Sequence, residues 1–308
     1  MKNFRIHLAV AIICAAATTA VFCLNKQRQS ISTSPAATGP LRIASLAPNL
    51  TEILFALGLE EKIVAVSDDS DYPAAAETKK KTGTFWQPNT ESVIASRPNL
   101  IITLWFEQQK SVADYLTHMG YQVLTLRMEK IEELLESIEK IGSATDRKQQ
   151  ADELSKSIKN QMDNLQAKVS SAEKVKVLWV LQNEPLCVAG RDTFINELIE
   201  LTGGENAIGP TLQQYPPLGT EKLLKSGAEV IIQSAMGPGD IRKQQRNAET
   251  FWKKYPNLPA VKKNRIYVID SDIILRLGPR LPDGAKIIAR CLHPDIFEES
   301  QTSLKEVK

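Results

Sequence analysis

Flat side chains recur in the turns that follow apolar runs. Tyr72 stands in "SDYP" directly after "VAVSDD", Trp86 in "GTFWQPN", Trp105 after "LIITL", and Tyr215 in "QQYPPLG". Turns at the carboxyl ends of parallel strands face a crevice, so aromatic residues in four such turns describe a cleft walled with rings. Rings offer stacking and apolar burial to a large planar or macrocyclic ligand. Arg276 and Arg280, in "DSDIILRLGPR", can anchor amide oxygens, carboxylates or a phosphate. Each also has an ordinary alternative: packing at a domain edge for an aromatic ring, a surface ion pair for an arginine.

A second pair of residues is marked by repetition. "TESVIASRPNLIIT" at 90 to 103 and "TEKLLKSGAEVIIQ" at 220 to 233 share Thr, Glu, Ser, Ile and Ile at matching places. Each reads as a short amphipathic helix, a break, and a buried parallel strand. Thr90 and Thr220 can cap the helices, and Glu91 and Glu221 fall in the first turn, where the helix dipole favours an anion. A third echo, "TEILFALGLEEKIVAVS" at 51 to 67, has the same shape.

Catalytic chemistry finds no such support. There is no GxSxG elbow and no SxxK, and the histidines are His7, His118 and His293. The glycine-rich stretches "LTGGENAIGP" and "SAMGPGDI" lack phosphate-loop or dinucleotide spacing. Without a CxxC or a histidine cluster, no zinc site is written in the sequence. Cys187 and Cys291 are the cysteines outside the N-terminal apolar run, and whether they pair is left open. The expectation is a protein that is not an enzyme, with no cofactor and no metal ligands of its own. An exported metal-dependent enzyme and a ligand sensor that meets no transporter are the other classes.

The elements that would position these residues follow from pattern. The 308 residues are 43% hydrophobic and 24% charged, an ordinary soluble composition. Residues 1–24 hold Lys2 and Arg5 ahead of an apolar run, which reads as a signal peptide or N-terminal anchor. Phe22 before Cys23 is a poor lipoprotein site. Residues 25–40 are a polar, flexible linker. Without residues 1–24 the basic and acidic residues balance, which argues against nucleic-acid binding. From 41 to 127 strands and helices alternate as in an α/β lobe with a parallel sheet. Residues 128–174 contain no proline and repeat apolar residues at helical spacing, predicting one long helix, or two meeting near Gly142. Alternation resumes over 175–294, a second α/β lobe, and 295–308 is a polar tail. The fold class is therefore α/β, two Rossmann-like lobes joined by a long helix, with the ligand cleft between them.

The chain resembles the cobalamin-binding substrate-binding proteins of bacterial ABC importers, within the group that also binds haem and ferric siderophores. The resemblance runs from about Leu41 to Leu292. It rests on "RIASLAPNLTEILFALG", "SDYP", the pattern from Trp86 to Ala95, "RPNLII", "GGEN" and "SD…R…PR". It implies a single backbone helix between the lobes and a cobalamin-like or other metal-chelate ligand held by Tyr72, Trp86, Trp105 and Tyr215. It further implies that Glu91 and Glu221 dock on arginines of an inner-membrane permease, and that the protein works in the periplasm or cell envelope as a monomer. Some positions depart from the pattern. Ile273 and Leu186 stand where aromatic residues are common, Tyr215 replaces a tryptophan, and Thr202 replaces a cysteine before "GGEN".

Overall fold

The computed structural model describes residues 39–298 apart from Met236 and Pro238. The expected signal or anchor, most of the linker and most of the tail lie outside the described residues.

The N-terminal lobe is a parallel sheet built from strands β1 (Ile43–Ser45), β2 (Ile63–Val66), β3 (Lys80–Lys81), β4 (Leu100–Leu104) and β5 (Val123–Leu126), in the order β3-β2-β1-β4-β5. Between them run helices α1 (Pro48–Ala56), α2 (Thr90–Ala95) and α3 (Glu107–His118). The C-terminal lobe carries β6 (Val175–Asn183), β7 (Leu186–Val188), β8 (Gly204–Asn206), β9 (Val230–Ala235) and β10 (Ile266–Asp270). Its main path is β10-β9-β6-β7, with β8 paired to β6. Helices α6 (Phe194–Leu201), α7 (Thr220–Lys225), α8 (Ile241–Trp252), α9 (Pro259–Lys262), α10 (Ser271–Ile274) and α11 (Leu281–Leu292) complete it.

The stretch 128–174 is not one helix. It divides into α4 (Ile131–Ala144) and α5 (Lys148–Val169), and α5 is the long helix between the lobes. The break sits at Thr145 to Arg147, where Asp146 takes a left-handed φ of 57°. Gly142 lies just before it because any Cβ there would meet the Ala151 side chain at 2.4 Å. The glycine thus allows the start of α5 to fold back against the end of α4.

The repeated phrase becomes the same object twice. Helices α2 and α7 start at matching positions, and β4 and β9 follow after equal spacers. The breaks are equivalent too, since Arg97 and Gly227 both adopt left-handed φ, 52° and 62°. The threonine caps expected at 90 and 220 are not formed. Asn89 precedes the first helix and its Oδ1 accepts from Ser92 N at 2.9 Å, while Gly219 precedes the second without a side-chain cap. Asparagine reaches a free N–H more readily than threonine, which takes N1 instead.

One buried core runs through both lobes, from Ile43 and Leu50 through Ile138, Ile158 and Leu165 to Trp179, Leu281 and Ile288. Separate clusters cover the outer faces of the two sheets. Helix α1 is buried from Pro48 through Leu54. One flank packs on its own sheet, and the other meets the segment from Ser271 to Leu281 of the second lobe.

Candidate functional site

All five strands of the first sheet run parallel, so β1, β2, β4 and β5 end on one edge. The chain leaves β1 towards Pro48 and Asn49, β2 towards Asp69, Asp71 and Tyr72, β4 towards Trp105, and β5 towards Arg127 and Met128. β1 lies between β2 and β4, so connections leave it in both directions, and the crevice forms at such a switch point. In the second lobe β9 ends at Ala235 and β10 at Asp270, and the Ser271–Leu277 segment completes the opposite side.

The cleft these turns enclose has a volume of about 490 Å³. Its floor is largely apolar, with Pro48, Phe85, Leu104, Met128, Phe194 and Leu275 on it. Tyr72, Trp86, Trp105 and Tyr215 are all exposed, at 48%, 57%, 51% and 40%. None of the four is among the residues lining this cleft, whose aromatic lining is Phe85 and Phe194.

Trp86, Trp105 and Tyr72 have partners at the ring, whereas Tyr215 is bonded through its backbone carbonyl. Trp86 packs against Phe85 and Phe106, with ring centroids 4.5 and 5.4 Å away. Phe85 N donates to Asp69 Oδ2 at 2.7 Å, and Phe85 O accepts from Gln109 Nε2 at 2.6 Å. Gln109, fully buried on α3, also donates to Leu46 O at 2.9 Å and accepts from Leu104 N at 2.8 Å and from the Thr103 hydroxyl. One amide therefore ties together the ends of β1 and β4 and the turn that carries Trp86. Trp105 has the Arg127 guanidinium 5.6 Å from its centroid, and Tyr72 has that of Arg280 at 4.1 Å. The carbonyl of Tyr215 accepts from Cys187 Sγ at 3.4 Å. Desolvation, then the charges of Glu129 and Cys187, push the Tyr215 phenol upwards.

The arginines are not free. Arg280 grips Glu52 through two bonds, Nε to Oε2 at 2.9 Å and Nη2 to Oε1 at 2.6 Å. Arg276 meets Asp71 at 2.6 Å, Asp272 at 2.9 Å and Glu52 at 3.5 Å. Burial would lift the Asp71 carboxyl, but the hydrogen bond and charge of Arg276 outweigh it and hold the group below the usual carboxylate range. Asp272 is displaced the other way, raised by burial against the pull of Arg276 and further by Asp71 and Asp270. Glu52 lies on α1 of the first lobe with its side chain only 2% exposed, so both arginines are inter-lobe ties. Asn49 adds another, its Nδ2 donating to Leu277 O at 3.1 Å. Behind the cleft, Lys130 Nζ reaches Asp192 at 2.8 Å, and Ile131 N donates to Glu197 at 2.8 Å.

Sequence reasoning missed Glu52, Asn49 and Gln109. A signal for the first two was present: an Asn and a Glu three residues apart in an otherwise apolar helix share one face. Gln109 sits near the start of a helix that reads as an ordinary polar surface. Cys187 and Cys291 do not pair; both are free, and burial pushes the Cys291 thiol to about 12. Ile273 and Leu186 both pack against the apolar clusters of their lobe. Glu91 and Glu221 are exposed on α2 and α7, and Glu221 pairs with Lys225 at 2.7 Å.

Two α/β lobes on a connecting helix, one sheet parallel and the other mixed through the antiparallel β7, with a cleft between them, have the architecture of a solute-binding protein. Residues 43–273 match the periplasmic binding protein family, and the chain belongs to it. It is 30% identical over 268 residues to YvrC, an ABC transporter substrate-binding lipoprotein of Bacillus subtilis, covering 84% of this chain and 82% of that protein. It is 28% identical over 253 residues to the vitamin B12-binding protein of Vibrio parahaemolyticus, covering 82% and 88%. The crystal structure of a periplasmic haem-binding protein from Pseudomonas aeruginosa superposes with a TM-score of 0.69 at 27% identity, covering 83% of this chain and 94% of that one. The protein is thus a substrate-binding component of an ABC importer that works in the cell envelope, and it is not an enzyme.

Proposed function

We propose that the protein captures a corrinoid in the cleft and delivers it to a membrane permease. The observation that carries this reading is the largely apolar cleft between the lobes, with four exposed rings, Tyr72, Trp86, Trp105 and Tyr215, in the loops of the two lobes. A corrin macrocycle presents wide apolar faces bordered by amide groups. Trp86, Trp105, Tyr72 and Tyr215 supply faces to stack on, and backbone and side-chain groups at the rim supply partners for the amides. The named ligand of the Vibrio relative supports the same choice.

Arg276 and Arg280 serve this reading by fixing the cleft floor and the position of Tyr72, with their guanidinium groups turned to Glu52 and Asp71. Glu91 and Glu221, one on each lobe at equivalent places, are the docking carboxylates for a permease made of two like halves. The test of the cleft is Trp86→Ala. A ring at the centre of a binding surface is worth more than about 1 kcal/mol, so affinity for cyanocobalamin is expected to fall ten-fold or more while the thermal midpoint stays put. Unchanged affinity in Trp86→Ala and in Trp105→Ala removes the ligand from this cleft.

A further inference from the structure

The charges around the cleft divide the chelates it can accept, an inference that rests on the ligand-binding reading above. We propose that the cleft takes neutral or cationic chelates and rejects anionic ones, with Asp71 and Asp272 setting the preference and Glu52 withholding the arginines from anions.

Anionic chelates such as a porphyrin with carboxylate arms or an iron tris-catecholate need cations to meet them. Every guanidinium at this cleft already has carboxylate partners from the chain itself. Arg280 is forked onto Glu52. Arg276 is shared between Asp71, Asp272 and Glu52. Arg127 lies on Trp105 with Glu129 at 2.7 Å and Glu133 at 3.2 Å. An anion could recruit Arg280 only by stripping Glu52, whose side chain is 2% exposed, of its forked partner, and Arg276 only in competition with Asp71 and Asp272. An unpaired carboxylate at that depth is strongly unfavourable, so the pair does not open for a ligand.

Carboxylates also outnumber the cations they pair with, Glu52, Asp69, Asp71, Asp270 and Asp272 against Arg276 and Arg280. Beside the cleft floor lies a pocket of about 390 Å³ lined by Asp71, Asp270 and Asp272, with no lysine or arginine among its lining residues. Asp69 and Asp272 are on the floor itself, opposite the single cation Arg276. Low-dielectric walls strengthen such a field, so each negative charge on a ligand is repelled and each positive one is drawn in.

The experiment keeps shape constant and varies charge. The full chain is titrated with cyanocobalamin, with its mono- and dicarboxylate hydrolysis products, and with the cationic aquo form. A neutral ferric trihydroxamate and an anionic ferric tris-catecholate form a second pair. Affinity is expected to drop about ten-fold for each carboxylate added to the corrin rim, and to be higher for the cation. Added salt should strengthen binding of the anionic probe and weaken that of the cation. In Asp71→Asn/Asp272→Asn, at two carboxylates that are partly exposed, the neutral-to-anionic affinity ratio should narrow at least ten-fold.

Equal affinity for cyanocobalamin and its dicarboxylate, or a salt dependence of opposite sign, overturns the proposal. Failure of all corrins overturns the corrinoid reading alone, and the preference is then read from the two iron chelates. A tris-catecholate held as tightly as the trihydroxamate overturns the charge preference whichever scaffold binds, and failure of every probe overturns both.

Discussion

Arg97 and Gly227 occupy the same place in the two lobes and take the same left-handed turn. Glycine adopts that conformation freely, whereas a side chain pays steric strain there. Arg97→Gly is therefore expected to stabilise the protein by up to about 1 kcal/mol, and Gly227→Ala to destabilise it by a similar amount, in denaturant unfolding. The Cβ added at Gly227 would meet nothing closer than Lys176 Cδ at 4.0 Å, so the loss would report backbone conformation and not collision. At this scale the sequence picked out four rings that the structure leaves exposed, none of them among the residues lining the cleft. The aromatic residues could be placed because turns after parallel strands have a known direction. What the arginines do was not legible, because their partners Glu52 and Asp71 are remote in sequence and stand in a different lobe. A sequence shows that an arginine is available; only the fold shows that it is already spent on a buried carboxylate.

At the level of elements, the turn from Phe85 to Pro88 depends on helix α3. Gln109 reaches from that helix to Phe85 O, Leu46 O and Leu104 N, all from a fully buried position. Gln109→Leu keeps the volume but leaves two carbonyls, an N–H and the Thr103 hydroxyl without their partner. Such groups cost about 1 to 3 kcal/mol each when buried, so chemical denaturation should show a loss of that order or more. Ligand affinity should fall as well, because the Trp86 turn loses its tie to α3. A stability loss with unchanged affinity would separate Gln109 from the site. The strands β1, β2, β4, β6, β9 and β10 were legible as compact aliphatic runs. The two-residue β3 and the hairpin strand β7 were not, since each is too short to show a period and is defined by the neighbour it pairs with. The division of 128–174 was foreshadowed by Gly142, yet apolar spacing continues through both helices and hides the turn at Asp146.

For the whole molecule, the lobes are tied by Glu52 with Arg276 and Arg280, by Asn49 with Leu277, and by Lys130 with Asp192. They also share one apolar core. Ties of this kind hold Glu91 and Glu221, the carboxylates proposed to dock on the permease, on lobes fixed to one another. Glu91→Lys/Glu221→Lys is therefore expected to abolish uptake in cells while leaving ligand binding intact, since both residues are exposed and away from the cleft lining. Because Glu221 is partly neutralised by Lys225, Glu91→Lys alone should reduce uptake more than Glu221→Lys alone. Normal uptake in the double variant contradicts the docking role.

The most direct test of the central claim is a calorimetric titration of the full chain with cyanocobalamin, with haem and a ferric siderophore as competitors. One-to-one saturable binding of the corrinoid, held against excess haem, is the result expected of an apolar cleft edged with carboxylates. No heat of binding for any of the three chelates at micromolar protein would contradict the claim that this cleft exists to hold them.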